Sequence, residues 1–115
     1  MIRKNIECKQ SVKVAMRDGD GQVELTELAT KEELMEKGRL FSILTFKKDC
    51  GIGIHDHVGE QEYFYVISGK GHYTDDGVES IIEKGDVTIC FDGHSHGIVN
   101  REEEDLVVLA SILLK

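Results

Sequence analysis

The amino-acid sequence predicts an all-β fold, a sandwich or barrel of short strands with one short helix near the N-terminus. Glycines from Gly19 to Gly93 divide the chain into short segments, several of them rich in Val, Ile, Phe, Tyr and Thr. Short β-rich segments between glycine turns are typical of sandwiches and barrels. The chain has no proline, so glycine must supply most of the turns. Its 115 residues fit one domain, and no linker or low-complexity segment divides them.

The predicted elements follow one another with few interruptions. Residues 22–28 form the first predicted strand. Thr30-Lys31-Glu32-Glu33 matches a capping box, which predicts a helix that runs through Lys37 and ends at Gly38. Asp76-Gly77 is a strong hairpin turn between two later strands, and residues 83–86 form the next turn. The other strands are predicted at residues 39–46, 52–57, 62–68, 71–75, 78–82, 87–91, 96–100 and 106–114.

The charge balance limits the classes of partner. The 22 Asp and Glu residues outnumber the 14 Lys and Arg residues, which gives a net charge of −8. Nucleic acids and anionic membranes recruit Lys and Arg, so we expect neither as a partner. No apolar run approaches the roughly 20 residues that span a bilayer, and residues 1–13 lack the apolar core of a signal peptide. Cys8, Cys50 and Cys90 form no C-x-x-C pair, so we expect free thiols and a cytoplasmic location.

Three histidines and one glutamate are the candidate metal ligands. His55 and His57 stand two apart in a predicted strand, so both imidazoles project from the same face. Glu62 begins the next strand, and His96 begins a later one. Such a pair of histidines is, by itself, more often part of a polar face than of a metal site. Together, however, three imidazoles and one carboxylate suit a divalent transition metal.

The first part of this pattern resembles the first sequence motif of the cupin family. The chain reads His55-x-His57, four residues, Glu62, six residues and Gly69, which is similar to H-x-H-x(3,4)-E-x(6)-G. The family's glycine six residues before the first histidine is replaced here by Asp49. The resemblance implies that both histidines and Glu62 are metal ligands. The rival acidic residue, two positions before Glu62, would break the spacing to Gly69.

The second part resembles the second cupin motif, G-x(5)-P-x-G-x(2)-H-x(3)-N. The chain reads Gly85, five residues, Phe91-x-Gly93, two residues, His96, three residues and Asn100. Phe91 stands where the family usually has proline. The resemblance implies that His96 is the fourth ligand. Asn100 has two open interpretations, as a residue that orients a ligand or loop from behind the metal site, or as a structural amide.

The resemblance implies a cupin barrel, also called a double-stranded β-helix or jelly roll, as a single domain over residues 1–115 with motifs at 51–69 and 85–100. It also implies one bound divalent transition metal, which we expect to be Mn, Fe, Zn, Ni or Co. A divalent ion with three neutral imidazoles and one carboxylate carries a net charge of about +1. An octahedral ion would keep two open positions, so we expect a small bidentate anion as ligand.

Three classes of function remain open at this point. The first is a metalloenzyme acting on a small carboxylate or a keto or enediol substrate, with a decarboxylase-like or dioxygenase-like reaction; oxalate decarboxylase is the nearest specific example. The second is a non-catalytic module that binds or senses a small molecule or a metal. The third is a structural barrel whose metal joins the strands. No catalytic acid or base is assigned, and Glu60, His94 and Tyr73 are only candidates; His94 is more simply an exposed loop residue.

The apolar pattern also predicts a second subunit. Residues 106–114 are apolar on both faces of their strand, whereas one barrel has a single interior. If Glu62 faces the metal, then Phe64 and Val66 also point inward. The intervening side chains then face away from the metal: Tyr63, Tyr65 and Ile67. This second apolar face needs cover from the N-terminal segment or from another subunit, and we expect a homodimer.

Overall fold

Residues 1–115 form ten β-strands in two antiparallel sheets in the computed structural model. The only helical segments are two 3₁₀ turns, Asn5–Glu7 and Met16–Asp18. No helix has the length and hydrophobicity that would be needed to cross a membrane. The all-β prediction is confirmed, and the nine predicted strands lie within two residues of observed ones at each end. The strands are β1 (Lys9–Val14), β2 (Gln22–Glu27), β3 (Gly38–Phe46), β4 (Gly51–Asp56), β5 (Glu60–Ser68), β6 (Lys70–Asp75), β7 (Val78–Glu83), β8 (Val87–Cys90), β9 (Ser95–Val99) and β10 (Leu106–Leu114).

The two sheets enclose one apolar core. The larger sheet has the strand order β1-β2-β3-β10-β5-β8, and the smaller has the order β4-β9-β6-β7. Because side chains alternate between the faces of a strand, every second residue of β10 is buried over most of its length. The core contains side chains from both sheets: Val23, Leu25, Leu44, Phe46, Ile52, Phe64, Val66, Tyr73, Ile82, Ile98, Leu106, Val108 and Ala110.

The predicted helix after residue 30 does not form, so this prediction is wrong. Its capping box is present, because the amide of Thr30 donates to Glu33 Oε1 at 2.9 Å and the amide of Glu33 donates to Thr30 Oγ1 at 3.1 Å. Met35 and Glu36, however, are left-handed, with φ of 60° and 57°, and the segment is a turn. The carbonyl of Lys37 accepts a hydrogen bond from β10. A short helix is costly to nucleate, and here pairing with the sheet prevails.

Strand β1 was not predicted. It pairs with β2 at the edge of the larger sheet, and most of its side chains are exposed on both faces. With little apolar surface to bury, its sequence carries only a weak strand pattern. The N-terminal segment therefore extends the sheet and does not cover the outer face of β10 and β5.

Two turns with left-handed residues show how the chain reverses direction without proline. Asp76 and Gly77 have φ of 47° and 83°, as the predicted hairpin between β6 and β7 requires. Asp49, which replaces the family's glycine, has a φ of 62°. Aspartate tolerates this conformation better than most residues, so the turn before β4 is kept without a glycine.

Candidate metal centre

The structure brings all four predicted ligands together between the two sheets. His55 lies on β4 and is paired with His96 on β9, while His57 directly follows β4. Glu62 projects from β5 of the opposite sheet. Their ligand atoms all lie within 4.8 Å of one another. His57, Glu62 and His96 are buried, and His55 is partly exposed. These four side chains are called the cluster below.

One nitrogen of each imidazole faces the centre of the cluster. His57 Nε2 lies 3.1 Å from His55 Nε2 and 3.0 Å from His96 Nε2. Glu62 Oε1 lies 3.0 Å from the Nε2 atoms of both His57 and His96. The cluster is therefore a set of one oxygen and three nitrogens directed at a common point.

The other nitrogen of each ring has a separate partner outside the cluster. His55 Nδ1 lies 2.7 Å from the carbonyl oxygen of Gly53, and His57 Nδ1 lies 2.5 Å from Glu60 Oε2. Because these oxygens can only accept, both Nδ1 atoms must carry the proton and donate. His96 Nδ1 contacts the hydroxyl of Tyr73, as described below. The Nε2 lone pair of a neutral His55 is thus left directed into the cluster.

This arrangement fits a divalent transition metal. A metal–nitrogen bond measures about 2.1 Å, so two nitrogens at right angles around one ion lie about 3.0 Å apart. The observed Nε2 separations of 3.0 and 3.1 Å match this value. Without a cation, lone pairs brought so close in a buried site would repel one another or need protons between them. Three imidazoles and one carboxylate would hold such an ion as ligands.

The charges inside the cluster also suit a cation. Burial lowers the pKa of His55, so this imidazole is neutral and available as a ligand. Burial alone would raise the pKa of Glu62, but hydrogen bonds with His57 and His96 bring it below its usual value and keep the carboxylate charged. The hydrogen bond with Glu62 in turn raises the pKa of His57.

Glu60, the rival to Glu62 as a ligand, lies behind His57 and outside the cluster. Its carboxylate forms a two-pronged ion pair with Arg39, in which Nε and Nη2 each donate over 2.6 Å. This hydrogen bonding lowers the pKa of Glu60 to about 2, so it is an anion at neutral pH. The choice of Glu62 from its spacing agrees with this geometry.

The other candidate acids and bases do not line the space beside the cluster. Tyr73 is buried behind His96, where its hydroxyl lies 2.7 Å from Nδ1, and burial raises its pKa. His94 is exposed in the loop before β9, and its Nδ1 contacts Asp76. It is a loop residue, as expected. Neither side chain lies where it could contact an anion bound beside the cluster.

Asn100 is a structural amide. It is fully buried, and its Nδ2 donates to the carbonyl oxygens of Phe46 and Glu104, each over 2.9 Å. Its Oδ1 accepts from the amide of Glu102 over 2.8 Å. These bonds tie the loop between β9 and β10 to the end of β3, and none of them reaches the cluster.

A small cavity of about 90 Å³ adjoins His55, His57 and Glu62. Two arginines line it, Arg17 and Arg39. Neither could be found from the sequence, because Arg17 reaches the cavity through the packing of its turn against β4, and Arg39 on β3 reaches it beside Glu60 of β5. The rest of the wall is apolar: Met16, Leu25, Leu40, Leu44, Ile52 and Ile112.

Comparison with known proteins agrees with the fold. The sequence pattern of the cupin domain matches residues 42–112. The oxalate-binding protein of Thermotoga maritima is 39% identical over 99 residues, which cover 86% of this chain and 82% of that protein. The crystal structure of a predicted oxalate decarboxylase from Thermotoga maritima is similar over 100% of both chains, with a TM-score of 0.95 and 36% identity.

A more distant structure shows the fold alone. The cupin domain of Schizosaccharomyces pombe Cnp3 has a TM-score of 0.74 at 12% identity, over 91% of this chain and 69% of that one. With the family pattern covering more than half of its length, the chain belongs to the cupin domain family.

Proposed function

We propose that the protein binds one divalent transition metal, Mn, Fe, Zn, Ni or Co, through His55, His57, Glu62 and His96. The observation that carries this proposal is the orientation of the three imidazoles. Each ring directs Nε2 into the cluster while Nδ1 contacts a partner outside it. Partners behind the ligands are typical of metal-binding histidines, because they fix the tautomer and the ring orientation.

We further propose that the protein, with such an ion held by the cluster, binds a small carboxylate anion in the adjoining cavity and acts on it in a decarboxylase-like or dioxygenase-like reaction. The cavity of about 90 Å³ and its two arginines favour a compact anion. The similarity to a protein named oxalate-binding protein supports the same class of ligand. When bound, the ion would polarise a carboxylate as a Lewis acid. The apolar wall would limit the access of water, while Glu60 and Tyr73 hold two of the imidazoles in place.

A binding or sensing module without catalysis is the second candidate. It is favoured by the composition of the cavity, which has no histidine or carboxylic acid apart from His55, His57 and Glu62. A reaction that needs a separate proton donor or acceptor would have to obtain it from the ligand or from water. Turnover of a panel of small carboxylates by Mn-loaded and Fe-loaded protein separates the two candidates. Anion binding without turnover would favour the binding module.

Elemental analysis of protein purified without a histidine tag tests the metal proposal. We expect about one ion per chain in the wild type and a clear loss in His55→Ala and Glu62→Gln, because each removes one ligand. Glu79→Gln is a matched control, since Glu79 is exposed on β7 and outside the cluster. Unchanged metal content in both ligand variants would contradict the proposal.

We also propose that the protein is a homodimer that buries the outer face of β5 and β10. Glu62, Phe64 and Val66 point inward, while Tyr65 and Ile67 are 46% and 39% exposed on the opposite face. Leu113 of β10 is 47% exposed. An apolar face of this kind is typical of a subunit interface. Light scattering should give twice the mass of the chain, and Ile67→Lys should shift the protein toward a folded monomer. A monomeric wild type would contradict this proposal.

A further inference from the structure

The turn that contains Arg17 has an unusual backbone. Ala15, Arg17 and Asp18 have φ of 51°, 53° and 62°, in the left-handed region that residues with a side chain rarely adopt. Each such position costs energy and persists only when its surroundings hold it. Three of them within four residues indicate that the turn is fixed from outside.

Close packing against β4 holds this turn in place. A Cβ atom added to Gly53 would lie 2.0 Å from the carbonyl oxygen of Arg17, and one added to Gly19 would lie 2.6 Å from the carbonyl oxygen of Gly51. Only glycine allows such an approach of two backbones. Met16 also packs against the core. Arg17 is thus fixed beside the strand that carries His55.

The two arginines of the cavity differ in their partners. Arg39 is already engaged with Glu60 through Nε and Nη2. Arg17 lines the same cavity, is exposed, and has no ion pair with any carboxylate of the chain. Its positive charge therefore has no ion-pair partner in the chain, and the residue belongs to the wall of the cavity that adjoins the cluster.

We propose that Arg17 makes the cavity selective for small dianions, with dicarboxylates as the ligand class; this rests on the proposed binding of a metal and an anion by the cluster. A divalent ion with Glu62 has a net charge of about +1, which one negative charge neutralises. The Arg39–Glu60 pair adds no net charge. A second negative charge on the ligand therefore requires a second cation, and Arg17 supplies it through a guanidinium that matches the geometry of a carboxylate.

Two anions that chelate in the same way but differ in charge test this inference. Oxalate is a dianion, whereas glycolate is a monoanion of similar size. Each is titrated into Co-loaded protein, and binding is followed through the visible spectrum of the metal. We expect Arg17→Gln to weaken oxalate binding about tenfold to a hundredfold, the effect of losing a charged hydrogen bond, and to leave glycolate binding nearly unchanged. Arg17→Lys should retain part of the preference, because it keeps the charge without the planar fork.

Lys84→Gln is the control for the loss of one positive charge. Lys84 is exposed in the turn before β8. Glu62 pairs with the opposite end of β8, so Lys84 lies away from the cluster. This variant should bind both anions as the wild type does. If Arg17→Gln binds oxalate as tightly as the wild type does, or loses the same affinity for both anions, the inference about Arg17 is wrong. The proposed binding of an anion would still stand. A wild-type spectrum that responds to neither anion would overturn the proposed anion binding as well.

Discussion

Glu60 Oε2 lies 2.5 Å from His57 Nδ1, on the side of the imidazole that faces away from the cluster. The same carboxylate is held in place by two hydrogen bonds from Arg39. Arginine, glutamate and histidine thus form a continuous chain that ends at an Nε2 atom of the cluster. A carboxylate behind a histidine fixes the orientation of the ring and increases its basicity as a ligand.

Glu60→Gln should therefore weaken metal binding by about tenfold to a hundredfold. The amide keeps the size of the side chain but loses the charge that pairs with Arg39 and supports His57. Competition with a chelator of known affinity measures the effect, and Glu79→Gln is the control. If Glu60→Gln binds metal as tightly as the wild type, Glu60 does not support the ligand.

Tyr73→Phe should weaken metal binding to a smaller extent. It removes the hydroxyl that lies 2.7 Å from His96 Nδ1 and leaves a buried polar nitrogen without this partner. The free energy of unfolding should also fall, by about 1–3 kcal/mol. Tyr65→Phe is the control, because Tyr65 is partly exposed on the outer face of β5. Equal metal affinity and stability in both variants would show that the hydroxyl of Tyr73 has no orienting role.

Asn100→Ala should destabilise the fold by about 2–4 kcal/mol, because the carbonyl oxygens of Phe46 and Glu104 lose their donor inside the protein. Urea denaturation measures this loss. The metal content of the folded variant should stay at the wild-type level, since Asn100 makes no contact with the cluster. A selective loss of metal with unchanged stability would contradict the structural role.

The exposed pair His94 and Asp76 predicts a pH effect on stability. Hydrogen bonding to Asp76 raises the pKa of His94 above the ordinary value of about 6.5. The stabilising effect of this pair is complete below the pKa of the unfolded state and is lost as the pH rises through the folded pKa. NMR titration should show a lower pKa for His94 in Asp76→Asn, and an unchanged one in Glu79→Gln. An identical pKa in wild type and Asp76→Asn would exclude the contribution of Asp76.

The convergence of the four cluster residues could be predicted because the spacing of residues along a strand determines which face of the sheet each side chain occupies. His55 and His57, two apart, share a face, and the spacing of the two motifs identified Glu62 and His96. The same alternation correctly separated Phe64 and Val66 from the exposed side chains between them. The alternation of side chains in a strand and the residue spacing within a motif are local properties, so a single sequence is enough to detect them.

The partners behind the histidines could not be predicted in the same way. From the sequence, Tyr73 and Glu60 are candidate catalytic groups, yet in the structure both lie on the far side of an imidazole. Their roles depend on the pairing of β6 with β9 and on the position of Arg39, which are contacts between distant parts of the chain. The predicted helix after Thr30 is wrong for a related reason. Its capping box is a local signal and does not show that the next residues must enter β3.

Part of the cavity wall comes from a different stretch of the chain than the cluster does. The region shared with the cupin family, residues 42–112, contains every residue of the cluster together with Glu60 and Tyr73. Met16, Arg17 and Arg39 precede this region. If the cavity holds an anion as proposed, substitutions of these three residues should change which anion binds and leave the four side chains of the cluster in place. On the same proposal, a relative that keeps the four residues of the cluster but lacks Arg17 should prefer a different anion.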